Sequence, residues 1–280
     1  IYLIFFKWGL TIKPMSFLGP KGTFTHEVAS KLSDNLISFC TIPAVLESVS
    51  TGECDKGIVP IENSIEGSVT QTLDLFAHKY NLKILNEVVL PINHNLIVNK
   101  GVKLEEITDI YSHSQALGQC QNFINQNNIQ PHFAISTANA VKSIVGMENA
   151  AAIGNKKAAE LYDMDILIDN IQDVSNNETR FVVVSNHDHV PTGNDKTSIA
   201  FSIFEDSPGA LYKILGIFYE ANINLAKIES RPSKKGLGNY IFFIDLVGHR
   251  LDENIKNILG RIEDNTSFFK VLGSYPIFQR

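Results

Sequence analysis

Asp173-Val174-Ser175-Asn176-Asn177-Glu178-Thr179-Arg180-Phe181 runs straight into the apolar segment Val182-Val183-Val184. An acidic, Asn-rich turn thus delivers a hydroxyl and a guanidinium to the mouth of a strand. Open α/β sheets keep their ligands at strand mouths. The stretch therefore argues for an α/β fold and marks Thr179 as a candidate for chemistry. The plain alternative is a β-branched residue that merely starts a strand.

Outward from this turn, short apolar strands alternate with helical stretches from Met15 to about Ser185. Strands are expected at residues 16–18, 57–60, 82–90, 95–98, 110–111 and 151–153. Helices are expected at 69–78, 115–125 and 156–161, with others opened by Thr23 or Thr25 and by Ser136-Thr137. Such alternation predicts mainly parallel sheets flanked by helices. The polar stretch 186–196, with Pro191 and Gly193, reads as a linker. Beyond it, strands at 198–204, 223–230, 239–246 and 269–278 and helices at 209–221 and 251–262 follow the order βαββαβ, a ferredoxin-like module. A chain of 280 residues suits two or three such units.

A formal net charge of -6 argues against a nucleic-acid surface, which needs a basic patch. Lys156-Lys157 and Lys234-Lys235 are isolated pairs, read as solvated. The apolar stretch 1–10 is far shorter than the roughly 20 residues of a membrane span. It lacks a clear signal-peptide pattern. Residues 1–14 are treated as an extension without function, and no membrane association is expected. Cys40, Cys54 and Cys120 are an odd number without metal-ligand spacing. They read as free, buried thiols in a reducing, cytoplasmic setting, with no bound metal. His187-Asp188-His189 lacks a third clustered ligand and reads as solvated.

Five turns share one design, each placing small hydroxyl or amide residues after a strand or at a helix start. They are 19–24, Glu62-Asn63-Ser64 with Gly67-Ser68, Ser112-His113-Ser114-Gln115, Ser136-Thr137-Ala138, and 177–181. Singly, each reads as an ordinary helix cap. Together they suit a pocket for a small, carboxylate-rich ligand, because helix N-termini bind anions. His113 is expected to orient its turn through a ring hydrogen bond, with proton transfer as the sharper alternative.

Residues 17–29 (FLGPKGTFTHEVA), 57–69 (GIVPIENSIEGSV), 112–120 (SHSQALGQC), 136–141 (STANAV), 151–155 (AAIGN) and 177–181 (NETRF) follow, in order, motifs of prephenate dehydratase. Residues 206–215 (DSPGALYKIL) and 229–245 resemble the ACT regulatory domain attached to that enzyme. The resemblance covers Met15 to the C-terminus. It departs at Ser114, where the family usually has Pro.

The resemblance implies two α/β subdomains like type 2 periplasmic binding proteins, the first discontinuous (15–89 and 170–185), the second 90–169. The cleft between them would be the active site, and 197–280 the ACT domain. The implied reaction converts prephenate to phenylpyruvate, water and carbon dioxide, driven by aromatisation and without a cofactor. Thr179 would hydrogen-bond the departing oxygen. Ser112, Gln115, Ser136, Thr137 and Ala138 would meet the carboxylates. Hydroxyls and amides suit the ring carboxylate better than an arginine, which would stabilise the group that must leave as carbon dioxide. Arg180 would anchor the pyruvyl carboxylate or brace its turn against Asp173, with bracing preferred. Glu62 would fix the cleft wall, a proton relay being the alternative, and Asn63 and Ser64 would reach the ligand. Phe181 would pack beneath the site.

The same resemblance implies an L-phenylalanine site across a dimer of ACT modules. The segment Asp206-Ser207-Pro208-Gly209 would present backbone amides at a helix start to the amino-acid carboxylate, with Ala210 beside it. Leu211 would supply apolar surface, Asn222 or Asn224 would bind the ammonium, and Glu229, Ser230, Arg231 and Pro232 would face them. Self-association to a dimer or tetramer follows. Two rivals remain: arogenate dehydratase, whose substrate differs by a side-chain amino group, and a non-catalytic amino-acid sensor, which the fold alone permits.

Overall fold

The computed structural model describes residues 13–204, 207–234, 236 and 238–279. Most of the expected extension, Asp206 and Lys235 therefore lie outside the described residues. The first lobe runs β1 (Met15–Leu18), α1 (Phe24–Leu32), β2 (Leu36–Phe39), α2 (Ile42–Ser50), β3 (Lys56–Asn63), β4 (Gly67–Ser68), α3 (Thr70–His78) and β5 (Lys83–Pro91). The second runs β6 (Asn95–Val98), β7 (Asp109–Ser112), α4 (Ser114–Gln119), α5 (Gln121–Gln126), β8 (Gln130–Phe133), α6 (Thr137–Ser143), β9 (Ala150–Gly154), α7 (Lys156–Leu161) and β10 (Asp165–Ile168). The chain then returns to the first sheet as β11 (Glu178–Ser185). The C-terminal module is β12 (Asp195–Ser202), α8 (Ala210–Glu220), β13 (Leu225–Pro232), β14 (Tyr240–Val247), α9 (Glu253–Asp264) and β15 (Phe268–Pro276).

Among the described residues three sheets form, ordered β2-β1-β3-β11-β5 with β4 on β3, β10-β6-β9-β7-β8, and β13-β14-β12-β15. The two lobe sheets are mixed, against the expectation of mainly parallel pairing. β1 is parallel to β2 and β3, and β7 to β8 and β9, whereas β11 runs antiparallel to β3 and β5, and β6 to β9 and β10. The cause lies in the two crossings between lobes: β11 enters its sheet from the other lobe, not over a βαβ crossover, so nothing imposes a parallel direction. The expected helix 115–125 is broken at Cys120, whose N–H bonds Leu117 one residue too early for an α-turn, giving α4 and α5.

Period-2 alternation explains how the C-terminal sheet is buried on both faces. Phe242, Ile244 and Leu246 join Ile199, Phe201 and the α8 and α9 residues Ile214, Ile217, Ile258 and Ile262 in one core. The opposite face, Ala200, Ile241, Phe243, Leu272 and Tyr275, shares a core with Val45, Leu46, Phe76, Leu82 and Val182 of the first lobe. Each such side chain contributes roughly 1.5–3 kcal/mol when fully buried, so the module is welded to the lobe.

Residues expected to form a free linker are docked as well. Asp188, read from sequence as solvated, pairs with Arg250 and accepts from the Ser274 N–H at 3.1 Å. Its carboxyl is held below the usual range: burial pushes it up, and the Arg250 bonds outweigh that. Among the cysteines, Cys54 and Cys120 are buried free thiols, but Cys40 is exposed because it follows the edge strand β2 at the rim of the cleft. Burial pushes the Cys120 thiol up to about 12, so it carries no thiolate near neutral pH.

Candidate active site and effector pocket

A cavity of about 760 Å³ opens between the two lobes and receives residues from all five polar turns. Asn63, Gln115, Ser136, Thr137, Thr179 and Phe181 line it, as do His94, His113 and Gln119. The strand pairing decides which side chains arrive. Thr179 faces Asn63 and Arg180 faces Glu62 across β11 and β3, and a bulge then brings Phe181 opposite Pro60. Pro60 has no N–H for the ladder, which a bulge accommodates. Alternation sends Thr179 and Phe181 into the cleft and Arg180 out of the other face.

Five expected contacts are not brought to the cleft. Arg180 lies nearly buried on the opposite face among three carboxylates: Glu62 (2.9 Å), Glu87 (3.2 Å) and Asp245 (2.8 Å). The expected brace to Asp173 is not formed, since Asp173 instead accepts from the Asn122 N–H and Arg180 is held by carboxylates of other strands. Glu62 binds Arg180 and Lys227. The Ser64 hydroxyl clamps the turn, accepting from Glu178 N–H at 2.9 Å and donating to the Asn176 carbonyl. Ser112 is buried and donates to the Ile153 carbonyl at 2.8 Å. Ala138 is fully buried in the first turn of α6, a helix capped by the Ser136 hydroxyl. His113 caps α4 through its ring nitrogen, at a long 3.4 Å.

Thr179 belongs to a chain of polar side chains. Asn63 Nδ2 donates to Thr179 Oγ1 at 2.8 Å and to Asn177 Oδ1 at 2.7 Å. Asn177 Nδ2 donates to Gln119 Oε1 at 2.9 Å, and His94 Nε2 lies 3.0 Å from the same oxygen. With Oγ1 accepting from Asn63, the Thr179 proton is free to be donated into the cavity. Sequence reasoning missed His94 and Gln119. Gln119 had a signal: it follows Gln115 by four residues and shares its helix face. His94 had a weaker one, a ring between two apolar strands where the chain changes lobe.

A second cavity, about 420 Å³, lies in the C-terminal module and is lined by Ile203, Ser207, Gly209, Ala210, Leu211, Tyr212, Ser230, Tyr240 and Phe242. It joins the start of α8 to β13. Alternation along β13 divides the rest: Ser230 faces the cavity, while Glu229 bonds Ser68 and Lys227, and Arg231 bonds Asp74 at 2.9 Å. Glu229 and Arg231 therefore face the first lobe. Pro208, Asn222, Asn224 and Pro232 do not line the cavity. Asn224 spends its carbonyl on Val247 N–H, and Asn222 closes α8 with φ 55°.

Residues 15–189 match the family model for prephenate dehydratase. The chain belongs to the prephenate dehydratase family. Residues 199–264 match the ACT domain. A prephenate dehydratase of Methanocaldococcus jannaschii is 43% identical over 95% of this chain and 99% of its own length. A bifunctional chorismate mutase/prephenate dehydratase of Aquifex aeolicus is 44% identical over 94% of this chain and 73% of its own. The crystal structure of an Arthrobacter aurescens prephenate dehydratase in complex with L-Phe superposes with a TM-score of 0.85, at 35% identity, covering 94% of this chain and 90% of that one. Among the described residues there is no cluster suited to a metal ion, and no helix is long and apolar enough to cross a membrane.

Proposed function

We propose that this prephenate dehydratase family member converts prephenate to phenylpyruvate, carbon dioxide and water, and that L-phenylalanine regulates it through the ACT module. The observation that carries the reading is the Thr179 hydroxyl, fixed as an acceptor from Asn63 and so free to donate into the cleft between the lobes.

Loss of the ring carboxylate as carbon dioxide sends its electron pair through the cyclohexadiene and breaks the C4–oxygen bond. One proton converts the departing hydroxide to water. Thr179 donates a hydrogen bond to that oxygen as charge develops, an effect strengthened where water is excluded. The side chains of Gln115, Ser136 and Thr137, and the backbone at the start of α6, hold the substrate's carboxylates without an arginine. Phe181, buried under the site, supplies an apolar floor. Glu62 and Arg180 act behind the strand by fixing its position.

The effector cavity has a size within the usual range for small ligands. Ser207, Gly209 and Ala210 would receive the carboxylate of L-phenylalanine, and Leu211 and Phe242 its ring. Tyr212 is 78% exposed on α8 beside this cavity, which favours closure by a second ACT module. The free thiols of Cys54 and Cys120 suit a reducing cytoplasm.

Side-by-side assays of prephenate and arogenate, each with and without L-phenylalanine, test the proposal. Turnover of prephenate that responds to L-phenylalanine is the expected result. Turnover of arogenate alone would transfer the reading to the amino-bearing substrate, and binding without turnover would reduce the chain to a sensor. Sedimentation with and without the amino acid checks self-association.

A further inference from the structure

Two buried polar atoms of cleft residues have no protein partner: His94 Nδ1 and Gln119 Nε2. Their condition follows from a chain of hydrogen bonds whose direction is dictated at its far end. The backbone N–H groups of Ile65 and Glu66 both donate to Asn63 Oδ1 at 3.0 Å. A backbone N–H can only donate, so the Asn63 amide has one orientation and its Nδ2 faces Thr179 and Asn177. Asn177 must then accept with Oδ1 and donate with Nδ2. Gln119 Oε1 is thereby an acceptor, and the nitrogen facing it, His94 Nε2, must carry a proton.

Other contacts hold His94 in this pose. Its N–H donates to Gln172 Oε1 at 2.9 Å, its carbonyl accepts from Ile171, and its ring packs edge-on against Phe24. Burial lowers its pKa, partly opposed by the bond to Gln119, so the ring is neutral at pH 7 and Nδ1 is bare. Two donors, from His94 and Asn177, thus occupy Gln119 Oε1 and leave Gln119 Nε2 with protons to give.

We propose that His94 is a positioning residue for the dehydration: as the Nε2–H tautomer it closes the far end of the chain, fixing the Gln119 amide that receives Asn177 and so supporting the Asn177–Asn63 order that holds Thr179 ready. The inference rests on the reading of the cleft as the dehydratase site. It extends that reading to a residue that need not touch the substrate. The order of the chain matters because misplacement of a reacting group by about 1 Å can cost on the order of 10²-fold in rate.

Histidine-selective ¹⁵N labelling reads the tautomer without substrate, and the signal lost in His94→Gln assigns it. The expected spectrum has His94 neutral and protonated at Nε2. Asn63→Leu should convert it to a tautomer mixture, because the amides beyond are then free to flip. His94→Gln keeps a donor near the Nε2 position and should hold kcat within about fivefold, whereas His94→Leu should lower kcat about tenfold to hundredfold with a smaller change in KM. An Nδ1–H tautomer in the native chain, a tautomer indifferent to Asn63→Leu, or equal kcat in the Gln and Leu variants would each overturn the proposal. A native chain that dehydrates neither prephenate nor arogenate would overturn the reading of the site and the catalytic half of the proposal. The tautomer spectrum would still decide the lock on its own.

Discussion

Arg180, the residue after Thr179 on β11, reaches Asp245 of the regulatory strand β14 with Nη1 2.8 Å from Oδ2. This ion pair ties the strand carrying the candidate catalytic hydroxyl to the ACT module. The pair sits in a larger set, with Glu62 and Glu87 on Arg180, Lys196 on Glu87 at 2.9 Å, and the Ser198 hydroxyl on Asp245. Burial disfavours the Arg180 cation, and the Asp245, Tyr275, Glu62 and Glu87 side chains together more than reverse this. Arg180→Met leaves two nearly buried carboxylates, Glu87 and Asp245, short of a cation. Breaking such a buried pair costs about 3–5 kcal/mol, and equilibrium urea unfolding should show that loss. Unchanged stability would mean that the pair contributes nothing net.

Thr179→Ala removes the one hydroxyl that the chain of amides presents to the cleft. A positioned donor or acid of this kind is worth about 10²–10⁴ in rate. Steady-state assays should show kcat lower by that factor with the unfolding midpoint little moved. Thr179→Ser keeps the hydroxyl and should retain most of the turnover. Near-native kcat in the alanine variant would remove Thr179 from the mechanism.

Much of this site is legible in short-range sequence, because turn residues and the start of β11 set Thr179 and Phe181 by alternation alone. Arg180 shows the limit. That it points away from Thr179 follows from period 2, but its partners Glu87 and Asp245 lie 93 and 65 positions away, and only the packing of two sheets brings them together. Asp245 carried a clue, being a charge between Ile241-Phe242-Phe243-Ile244 and Leu246, a run that reads as buried on both faces. Strand direction in the lobe sheets escapes the sequence for a related reason: local pattern records where strands occur, not from which lobe the chain returns.

Gly273 on β15 crosses the backbone of β5 with φ 154°, and a Cβ there would fall 2.3 Å from the Ile84 carbonyl oxygen. No side chain can give way, because the obstacle is main chain. Gly273→Ala should therefore push the ACT module off the first lobe. We expect a loss on the order of 1–3 kcal/mol, the scale of a serious packing defect, and faster cleavage at residues 186–196 in limited proteolysis. A variant with native melting temperature and native protease resistance would contradict the close approach.

Acid should loosen the same interface through Asp74. Burial pushes its carboxyl up, but the bonds from Arg231 and Lys234 prevail and hold it below the ordinary range. The folded pKa is thus depressed relative to the unfolded one, near 3.9. Its contribution is fully present above that unfolded value and is lost as pH falls through the folded pKa. Melting temperature against pH should fall more steeply below about pH 4 in the native chain than in Asp74→Asn. Parallel curves would exclude Asp74 as a source of the acid sensitivity.

Gly209 opens α8 at the candidate effector cavity with φ 84°, a left-handed conformation that a side chain resists. Alanine there costs roughly 1–3 kcal/mol of backbone strain or shifts the turn, and either result displaces the amides of Ser207 and Ala210. Calorimetry should show L-phenylalanine affinity reduced tenfold or more in Gly209→Ala. The bonds of Glu229 to Ser68 and Lys227 add a second test, since Ser68 lines the candidate catalytic cleft between the lobes. Glu229→Gln leaves the effector cavity's lining intact but weakens that link, so its affinity for L-phenylalanine should fall less than its response to it. Coupling is reciprocal: a substrate analogue that weakens L-phenylalanine binding to the native chain should weaken it by a smaller factor in Glu229→Gln. An equal factor in both chains would show that the coupling travels by another route.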